Sequence, residues 1–426
     1  MDVRPDKALV VPSTIEDFQA ILDNSNVMNT GSPAIGEISG DNIFLDLTRW
    51  QSTAAGLKNI YVWDRSQTLT DVTSDWNFPY QQVFYANVVL DGIQDLPLNN
   101  ENTEALNNLR GGALFYRAHA FYNLLQVFGV PYTDATANTD LGIVLKTTSD
   151  VWDTYERSTV SECYNQIIND LIESVSLLPP IPLYKTRPSK TSSYGLLARI
   201  MLILGNHDKA REYADLCLQI YNHLIDYNSL NTSGTGRPFQ RFNNETIFYH
   251  TMISYSPLSQ GLVSRELYDS YESDDIRKVA FFNVNGENIT WKGMYSGALS
   301  NFSGIATDEI YLIRAESNAR LGNTQLALQD LNAVLIKRWK TDTYIPFETS
   351  DNNDALTKIL VERRKQLLYR GIRWSDLRRL NQEDGFATIL VRELGDHYML
   401  PPNDLRYTLP IPASEIIASG IEQNKW

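Results

Sequence analysis

The 426-residue chain lacks the patterns that mark common catalytic and cofactor sites. It has no P-loop, no G-x-G-x-x-G run, no H-E-x-x-H and no G-x-S-x-G motif. Its five histidines are scattered, and none is spaced with another His or Cys as metal ligands are. The two cysteines, Cys163 and Cys217, form no metal or disulfide pattern and are predicted to be buried free thiols. We therefore predict no catalytic, cofactor or metal site.

Basic residues are also scarce, with 37 Lys and Arg against 51 Asp and Glu and a net charge of −14. Because such a surface repels a phosphate backbone, nucleic acid is not an expected partner. The apolar run from Leu196 to Leu204 is interrupted by Arg199 and is shorter than the ~18 residues of a membrane span. The opening Met1 to Pro5 carries no secretory signal, and we expect that a native signal peptide has been removed.

What the chain does contain is a repeated helix–turn–helix pattern. Leu204-Gly205-Asn206 and Leu321-Gly322-Asn323 each end an apolar helical segment, and a small alanine follows in the next one. Glycine supplies the left-handed helix stop, and alanine permits close helix packing. This pattern is typical of tetratricopeptide repeats. It predicts a mainly α fold with little β, a single domain over 1–426 whose helical scaffold covers about 80–222 and 306–380.

Long irregular segments are predicted to interrupt this scaffold, and long loops usually carry function. They are an N-terminal loop region at 24–79, an insertion at 226–305 with short β-like runs, and a C-terminal tail at 381–426. Capping boxes are predicted at Ser13/Glu16 and Thr159/Glu162. Asp351 is predicted to cap a helix in preference to binding Ca²⁺.

Two aromatic clusters in these loops are the candidate binding residues. The first comprises Trp50, Trp63 and Asp75 to Tyr80, and the second runs from Trp291 to Tyr295. Sugar rings pack their C–H faces on Trp and Tyr, and their hydroxyls need Asp, Asn or Arg partners beside the ring. The alternative for each tryptophan is a place in the core.

The Arg-rich segment from Glu362 to Arg379 allows two interpretations. Its arginines could bind an anionic ligand, but Glu362, Asp376 and Trp374 are interleaved with them. Internal ion pairs and stacking on Trp374 are therefore favoured.

Several segments together resemble the SusD/RagB family of surface lipoproteins. They are Gly111 to Pro131, Arg157 to Val160, Ser264 to Leu267, Tyr311 to Leu328, Glu362 to Arg379, Leu409 to Ile416 and Gln423-Asn424. One departure is Arg370 before Gly371, where the family often has Glu. Asp2 to Lys7 looks like the mature start that follows the family's lipid-modified cysteine, which this chain does not contain.

The resemblance implies a scaffold of four tetratricopeptide-like units with a ligand face built from loops. It implies a protein anchored by lipid on the outer surface of Bacteroidetes-type cells, where it closes over a SusC-like TonB-dependent transporter. Most such proteins bind oligosaccharides and some bind peptides. By position, the resemblance places ligand contacts at Asp41, Asn42, Trp76, Asn77, Tyr255, Trp291 and Tyr295.

We therefore predict a non-enzymatic, cell-surface glycan-binding lipoprotein that needs no cofactor. The alternatives are peptide capture for the same kind of transporter, a glycoside hydrolase using a carboxylate pair such as Asp274-Asp275, or a protein-binding helical scaffold. The two long interruptions count against the last of these.

Overall fold

The computed structural model describes residues 12–64, 72–97 and 99–425. Over these residues the chain is mainly α-helical with short strands, as predicted. The predicted mature start, Asp2 to Lys7, lies outside the described residues. None of the helices described has the combination of length and apolar character needed to cross a bilayer.

The N-terminal region contains more helix than the sequence analysis predicts, and its description as loops is wrong in part. Its elements are α1 (Ile15–Leu22), α2 (Ser25–Met28), β1 (Thr30–Ser32), α3 (Ile35–Ser39), β2 (Ile43–Phe44), α4 (Leu47–Ser52) and α5 (Ala55–Tyr61). The capping box of α1 also lies one residue later than predicted. Thr14 Oγ1 accepts from the Asp17 amide at 3.2 Å, and Asp17 accepts from the Thr14 amide at 3.1 Å.

The first part of the scaffold consists of five helices and a pair of short strands. Its elements are α6 (Ser74–Gly92), α7 (Thr103–Phe128), β3 (Leu141–Val144), β4 (Arg157–Thr159), α8 (Val160–Leu177), α9 (Lys190–Ile203) and α10 (His207–Ile220). The long connection between α7 and α8 contains the pair of short strands. Each long helix packs on the next. The predicted capping box at Thr159/Glu162 is confirmed, and Gly205 has the left-handed φ of +69° that the turn requires.

The insertion that follows is irregular, as predicted. Its elements are β5 (Thr246–Phe248), β6 (Thr251–Met252), α11 (Ser256–Gln260), β7 (Leu262–Val263), α12 (Arg265–Asp269), α13 (Arg277–Phe281), β8 (Phe282–Asn285), β9 (Asn288–Trp291) and β10 (Ile305–Ala306). A four-stranded sheet of order β2-β7-β9-β8 joins the insertion to the N-terminal region. Strand β5 pairs antiparallel with β10, so the insertion leaves and re-enters the scaffold at one place.

The scaffold resumes after the insertion. The remaining elements are α14 (Thr307–Arg320), α15 (Thr324–Leu335), α16 (Asn352–Gln366), α17 (Arg373–Leu380), β11 (Leu390–Leu394), β12 (Asp396–Leu400) and α18 (Ala413–Ser419). Helix α14 packs directly on α10, and Gly322 has a φ of +81° at the turn to α15. The repeat predicted from Leu-Gly-Asn is therefore confirmed. The tail is more regular than predicted, because β11 and β12 form a hairpin and α18 is helical.

The Arg-rich segment pairs internally, as favoured. Arg379 binds both carboxylate oxygens of Glu316 at 2.5 and 2.8 Å, and Arg363 binds Asp376 at 2.9 Å. The predicted stacking of an arginine on Trp374 is not among the contacts of the described residues, and this ring stacks on Tyr407 instead, with ring centroids 4.8 Å apart. These contacts tie α17 to the repeats.

Local predictions elsewhere are confirmed. Asp351 caps α16 through the amides of Asn353 and Asp354. Cys163 and Cys217 are buried free thiols, and burial raises the pKa of Cys163 to about 12.

Candidate functional site

A groove of about 510 Å³ lies between the first half of α6, the loop after β3 and the start of α18. We call it the α6 groove. It is lined by Trp76, Asn77, Phe78, Tyr80, Gln81, Val83, Phe84, Asn87, Val144, Lys146, Thr148, Asp150, Val151 and Glu415. Its mixture of aromatic surface and a few polar groups is the usual composition of a small-ligand site.

Helix α6 supplies the floor of the groove, because helical spacing places its lining residues in two adjacent rows. One row, Trp76, Tyr80, Val83 and Asn87, is largely buried. Trp76 is only 3% exposed and packs on Tyr80 and Phe128 with ring centroids 4.7 and 5.1 Å away. The other row, Asn77, Gln81 and Phe84, faces outward.

Aromatic rings are presented to solvent at this groove. Phe78 is 44% exposed and Phe84 is 39% exposed, both on α6. Trp152, which follows the lining residue Val151, is 86% exposed. An exposed tryptophan of this degree buries almost nothing in the fold, so its ring is available to a ligand.

The loop after β3 forms the wall of the groove, and α6 fixes its position. Tyr80 Oη donates to the Val144 carbonyl at 2.9 Å and accepts from the Val144 amide at 3.1 Å. Asn87 Nδ2 donates to the carbonyls of Lys146 and Thr148 at 2.9 and 3.0 Å. Both side chains are therefore structural members of the groove. Burial raises the pKa of Tyr80 well above its usual value, which keeps the phenol neutral.

A buried chain of polar contacts supports Asn87. Asp170 holds the Arg117 guanidinium through two bonds of 2.8 Å, and Arg117 Nη1 donates to Asn87 Oδ1 at 3.0 Å. Because the amide oxygen of Asn87 faces a guanidinium, its NH₂ group must face the loop carbonyls. The scaffold helices α7 and α8 thus orient the wall of the groove through this one amide.

The polar groups at the rim are of mixed charge. Lys146 makes no ion pair with another described residue, and its ammonium lies 5.8 Å from the Tyr155 ring. Thr148 Oγ1 donates to Asp153 at 2.7 Å, and Asp150 accepts from the Trp152 amide at 2.8 Å. These bonds order the loop that carries Trp152.

Of the seven predicted ligand residues, the structure brings only Trp76 and Asn77 to this groove. Asp41 instead pairs with Arg373 at 2.7 Å and with Arg364 at 3.1 Å, and these guanidiniums hold its pKa well below the usual range despite burial. Asn42 is buried and donates to Glu37 at 3.0 Å.

The three predicted residues of the insertion also have internal partners. Tyr255 donates to the carboxylate of Asp75 at 2.5 Å. Asp75 lies on α6 but does not line the groove. Trp291 stacks on Tyr369 at 5.0 Å between centroids. Tyr295 is buried, donates to Glu245 and lies under the Arg370 guanidinium, which is 4.2 Å from its ring centre. The structure does not gather these residues at one surface with Trp76.

The other tryptophans of the first predicted cluster differ from one another. Trp63 is buried and donates to the Ser39 carbonyl at 3.0 Å, which makes it a core residue. Trp50 is partly buried and donates to the Lys58 carbonyl at 3.1 Å. In contrast, Trp152, Phe84 and Lys146 were absent from the predicted site. The available signal was a tryptophan in a loop rich in Thr and Asp with no helical apolar spacing.

Within the described residues, no group of three or more His, Cys, Asp or Glu side chains is arranged to hold a metal ion. The geometry of the α6 groove suits non-covalent binding through ring faces and hydrogen bonds.

Comparisons with known proteins agree with this architecture. The family described as starch-binding and associating with the outer membrane matches residues 1–202, and the SusD family matches residues 301–425. The SusD-like protein P2 of Formosa agariphila is 22% identical over 430 residues, covering 82% of this chain and 79% of the relative.

Solved structures show the same fold. A putative sugar binding protein from Bacteroides vulgatus superposes with a TM-score of 0.78 at 20% identity, covering 97% of this chain and 99% of the other. A laminarin binding SusD-like protein superposes with a TM-score of 0.66 at 20% identity, covering 96% and 97% of the two chains. The two family matches, which together span most of the sequence, show that the chain belongs to the SusD/RagB family.

Proposed function

We propose that this protein binds oligosaccharides at the cell surface, through the α6 groove, and delivers them to a SusC-like TonB-dependent transporter. The observation that carries the binding proposal is the pair of exposed rings Phe78 and Phe84 that line one groove, with the exposed ring of Trp152 next in sequence to the lining residue Val151. Structures of relatives described as sugar binding and laminarin binding support the same class of ligand.

The chemistry of the groove matches a sugar. Apolar ring faces can pack on Phe78 and Trp152, while Asn77, Gln81 and Lys146 offer donors and acceptors at the rim. The scaffold already holds the wall of the groove through Tyr80 and Asn87, so little ordering is required when a ligand binds.

The transporter and the lipid anchor rest on family membership. Members associate with the outer membrane by the description of the matching family. We propose that an N-terminal lipid anchor holds this protein on the outer surface and that the protein acts without catalysis. The groove does contain the carboxylates of Asp150 and Glu415, so the binding assay should also record any hydrolysis.

The test is calorimetry of the purified protein against starch, laminarin and other soluble polysaccharides, with product analysis after incubation. Trp152→Ala should weaken binding about tenfold, because one lost ring contact is worth about 1.4 kcal/mol. Phe78→Ala combined with Trp152→Ala should bring binding below detection. Tyr184→Ala removes a ring that is also exposed but lies outside the α6 groove, and should leave affinity unchanged.

The outcomes separate the alternatives. Binding that survives both groove variants would place the site elsewhere on the molecule. Binding of peptides with no response to any polysaccharide would support the peptide alternative, and release of shortened sugars would support a hydrolase.

A further inference from the structure

Two further depressions continue the α6 groove along the C-terminal segment 413–425. A middle depression of about 490 Å³ is lined by Tyr155, Arg157 and residues 419–422 among others. A third, of about 580 Å³, lies between residues 130–141 and the end of the chain, and we call it the tail groove.

Shared residues show that the middle depression and the tail groove adjoin. Leu141 and Glu422 line both the middle depression and the tail groove. On one bank, the C-terminal segment passes Glu415 in the α6 groove before it reaches residues 419–422 and then Lys425. On the other bank, Val144 and Leu141 are the two ends of the single strand β3. The middle depression and the tail groove are therefore contiguous, and β3 and the C-terminal segment place the α6 groove beside them as the start of one path between the same two banks.

Side chains hold the C-terminal bank in place. Gln423 accepts from the Ile411 amide at 2.8 Å and donates to the Ile411 carbonyl at 2.7 Å. Asn424 donates to the carbonyls of Phe128 and Leu409 at 2.9 and 2.7 Å. Arg157 donates to the Glu422 carbonyl at 3.0 Å and so crosses from one bank to the other. The path is consequently formed before any ligand arrives.

The tail groove is lined by hydroxyl and amide groups together with apolar surface and charged side chains. Its hydroxyl and amide groups include Thr133, Thr136, Thr139, Gln382 and Asn403, its charged side chains are Asp140, Asp404, Glu422 and Lys425, and none of the described residues that line it is aromatic. Gln382 donates to the Tyr132 carbonyl at 2.8 Å, and no described residue donates to its amide oxygen. Hydroxyl and amide groups, which both donate and accept, match the hydroxyls of a sugar chain, and three carboxylates against one ammonium disfavour an anionic ligand.

We propose that the tail groove is a distal subsite for the same ligand, so that the protein takes an extended, neutral oligosaccharide running from the α6 groove to the end of the chain. This inference rests on the proposed function. The C-terminal bank from Glu415 to Lys425 comprises part of α18 and six further residues. With those six residues fully extended, the bank is at most about 26 Å long, which is the length of about five sugar units.

The experiment measures affinity against chain length. A polysaccharide that binds the protein, with laminarin and starch as first probes, is cut into fractions of two to eight units. Affinity for wild-type protein should rise by at least tenfold between two or three units and six, and then level off. Thr139→Trp places bulk in the tail groove at an exposed residue, and should remove that gain without changing affinity for the short fractions.

The matched control is Asn138→Trp, which adds the same ring at an exposed neighbour that does not line the tail groove. It should bind all fractions as the wild type does. Gln382→Ala, which removes an exposed amide, provides a second variant should the tryptophan disturb folding, and is expected to weaken only the long fractions.

Affinity that does not depend on length, or long fractions that bind both Thr139→Trp and Gln382→Ala normally, would overturn the distal subsite and leave the α6 groove proposal intact. Absence of binding to every polysaccharide would instead overturn the proposed function, and the distal subsite with it.

Discussion

Replacing Asn87 by aspartate is expected to loosen the wall of the α6 groove while leaving the scaffold folded. The substitution preserves the shape of the side chain and its acceptor for Arg117, whose Nη1 lies 3.0 Å away. It removes the NH₂ group that donates to the carbonyls of Lys146 and Thr148. A carboxylate oxygen then faces two carbonyl oxygens and repels them.

The expected magnitude follows from these contacts. Each lost hydrogen bond is worth about 1 kcal/mol net, so closure of the loop should be weakened by about 2 kcal/mol. A new carboxylate beside Arg117 partly offsets this in the scaffold, because the guanidinium gains a second charged partner besides Asp170. The free energy of global unfolding should therefore change less than the free energy of local opening of residues 146–151.

Amide hydrogen exchange measures this local opening directly. The Ser149 amide donates to Asp91 at 2.8 Å and is a suitable reporter within the wall. A loss of about 2 kcal/mol predicts exchange about 30-fold faster in this segment, with the long helices unaffected. Gln81→Glu makes the same amide-to-carboxylate change on the exposed row of α6 and should leave the exchange of the wall unchanged.

Exchange in residues 146–151 that stays within about threefold of wild type in Asn87→Asp would refute the reasoning. It would mean that other contacts, such as those of Tyr80 with Val144, hold the wall by themselves.

Two further predictions concern buried charge. Burial raises the pKa of Glu37 from 4.5 to about 7. Between these two values the folded protein keeps a proton that the unfolded chain releases. The resulting contribution to stability is therefore complete below pH 4.5 and is lost as the pH rises to 7. The unfolding free energy of wild type relative to Glu37→Gln should fall by about 3 kcal/mol across that interval in urea titrations, and a flat difference would contradict the assignment. Arg199 binds Glu309 through two buried bonds of 2.6 Å, so Glu309→Ala should cost about 3–5 kcal/mol by stranding the guanidinium. Adding Arg199→Met should restore most of that loss, and no recovery would show that packing, not charge, is responsible.

The repeat scaffold could be predicted because its rules are local. Gly205 and Gly322 adopt the left-handed conformation at equivalent turns, and Thr159 caps α8 through residues three positions away. Each signal lies within a few residues of its effect, so the sequence alone contains it.

The short elements were missed because their stabilising contacts are distant in sequence. The first turn of α3 is capped by Asp75, which accepts from the amides of Ala34 and Ile35 at 2.6 and 3.1 Å. On strand β11, Arg392 lies over the rings of Tyr61 and Trp63. The spacing of apolar residues within a window of about ten positions contains no information about partners so distant in sequence.

The candidate site was harder to predict for a different reason, which is that the residues suited to bind sugars are also suited to pair with each other. Asp41 is a plausible hydroxyl acceptor by type, yet two guanidiniums occupy its carboxylate, and Tyr295 is equally committed to Glu245 and Arg370. Trp152 has no ring partner among the described residues and stays exposed. Availability to a ligand therefore depends on which partners the fold brings within reach, and in this chain those partners come from segments that the residue types alone do not connect. The same reasoning explains why the α6 groove and the tail groove differ in composition. Beside α6 the rings of Phe78 and Phe84 stay exposed, whereas hydroxyl and amide groups line the tail groove, and a chain of sugars offers both kinds of contact in one ligand.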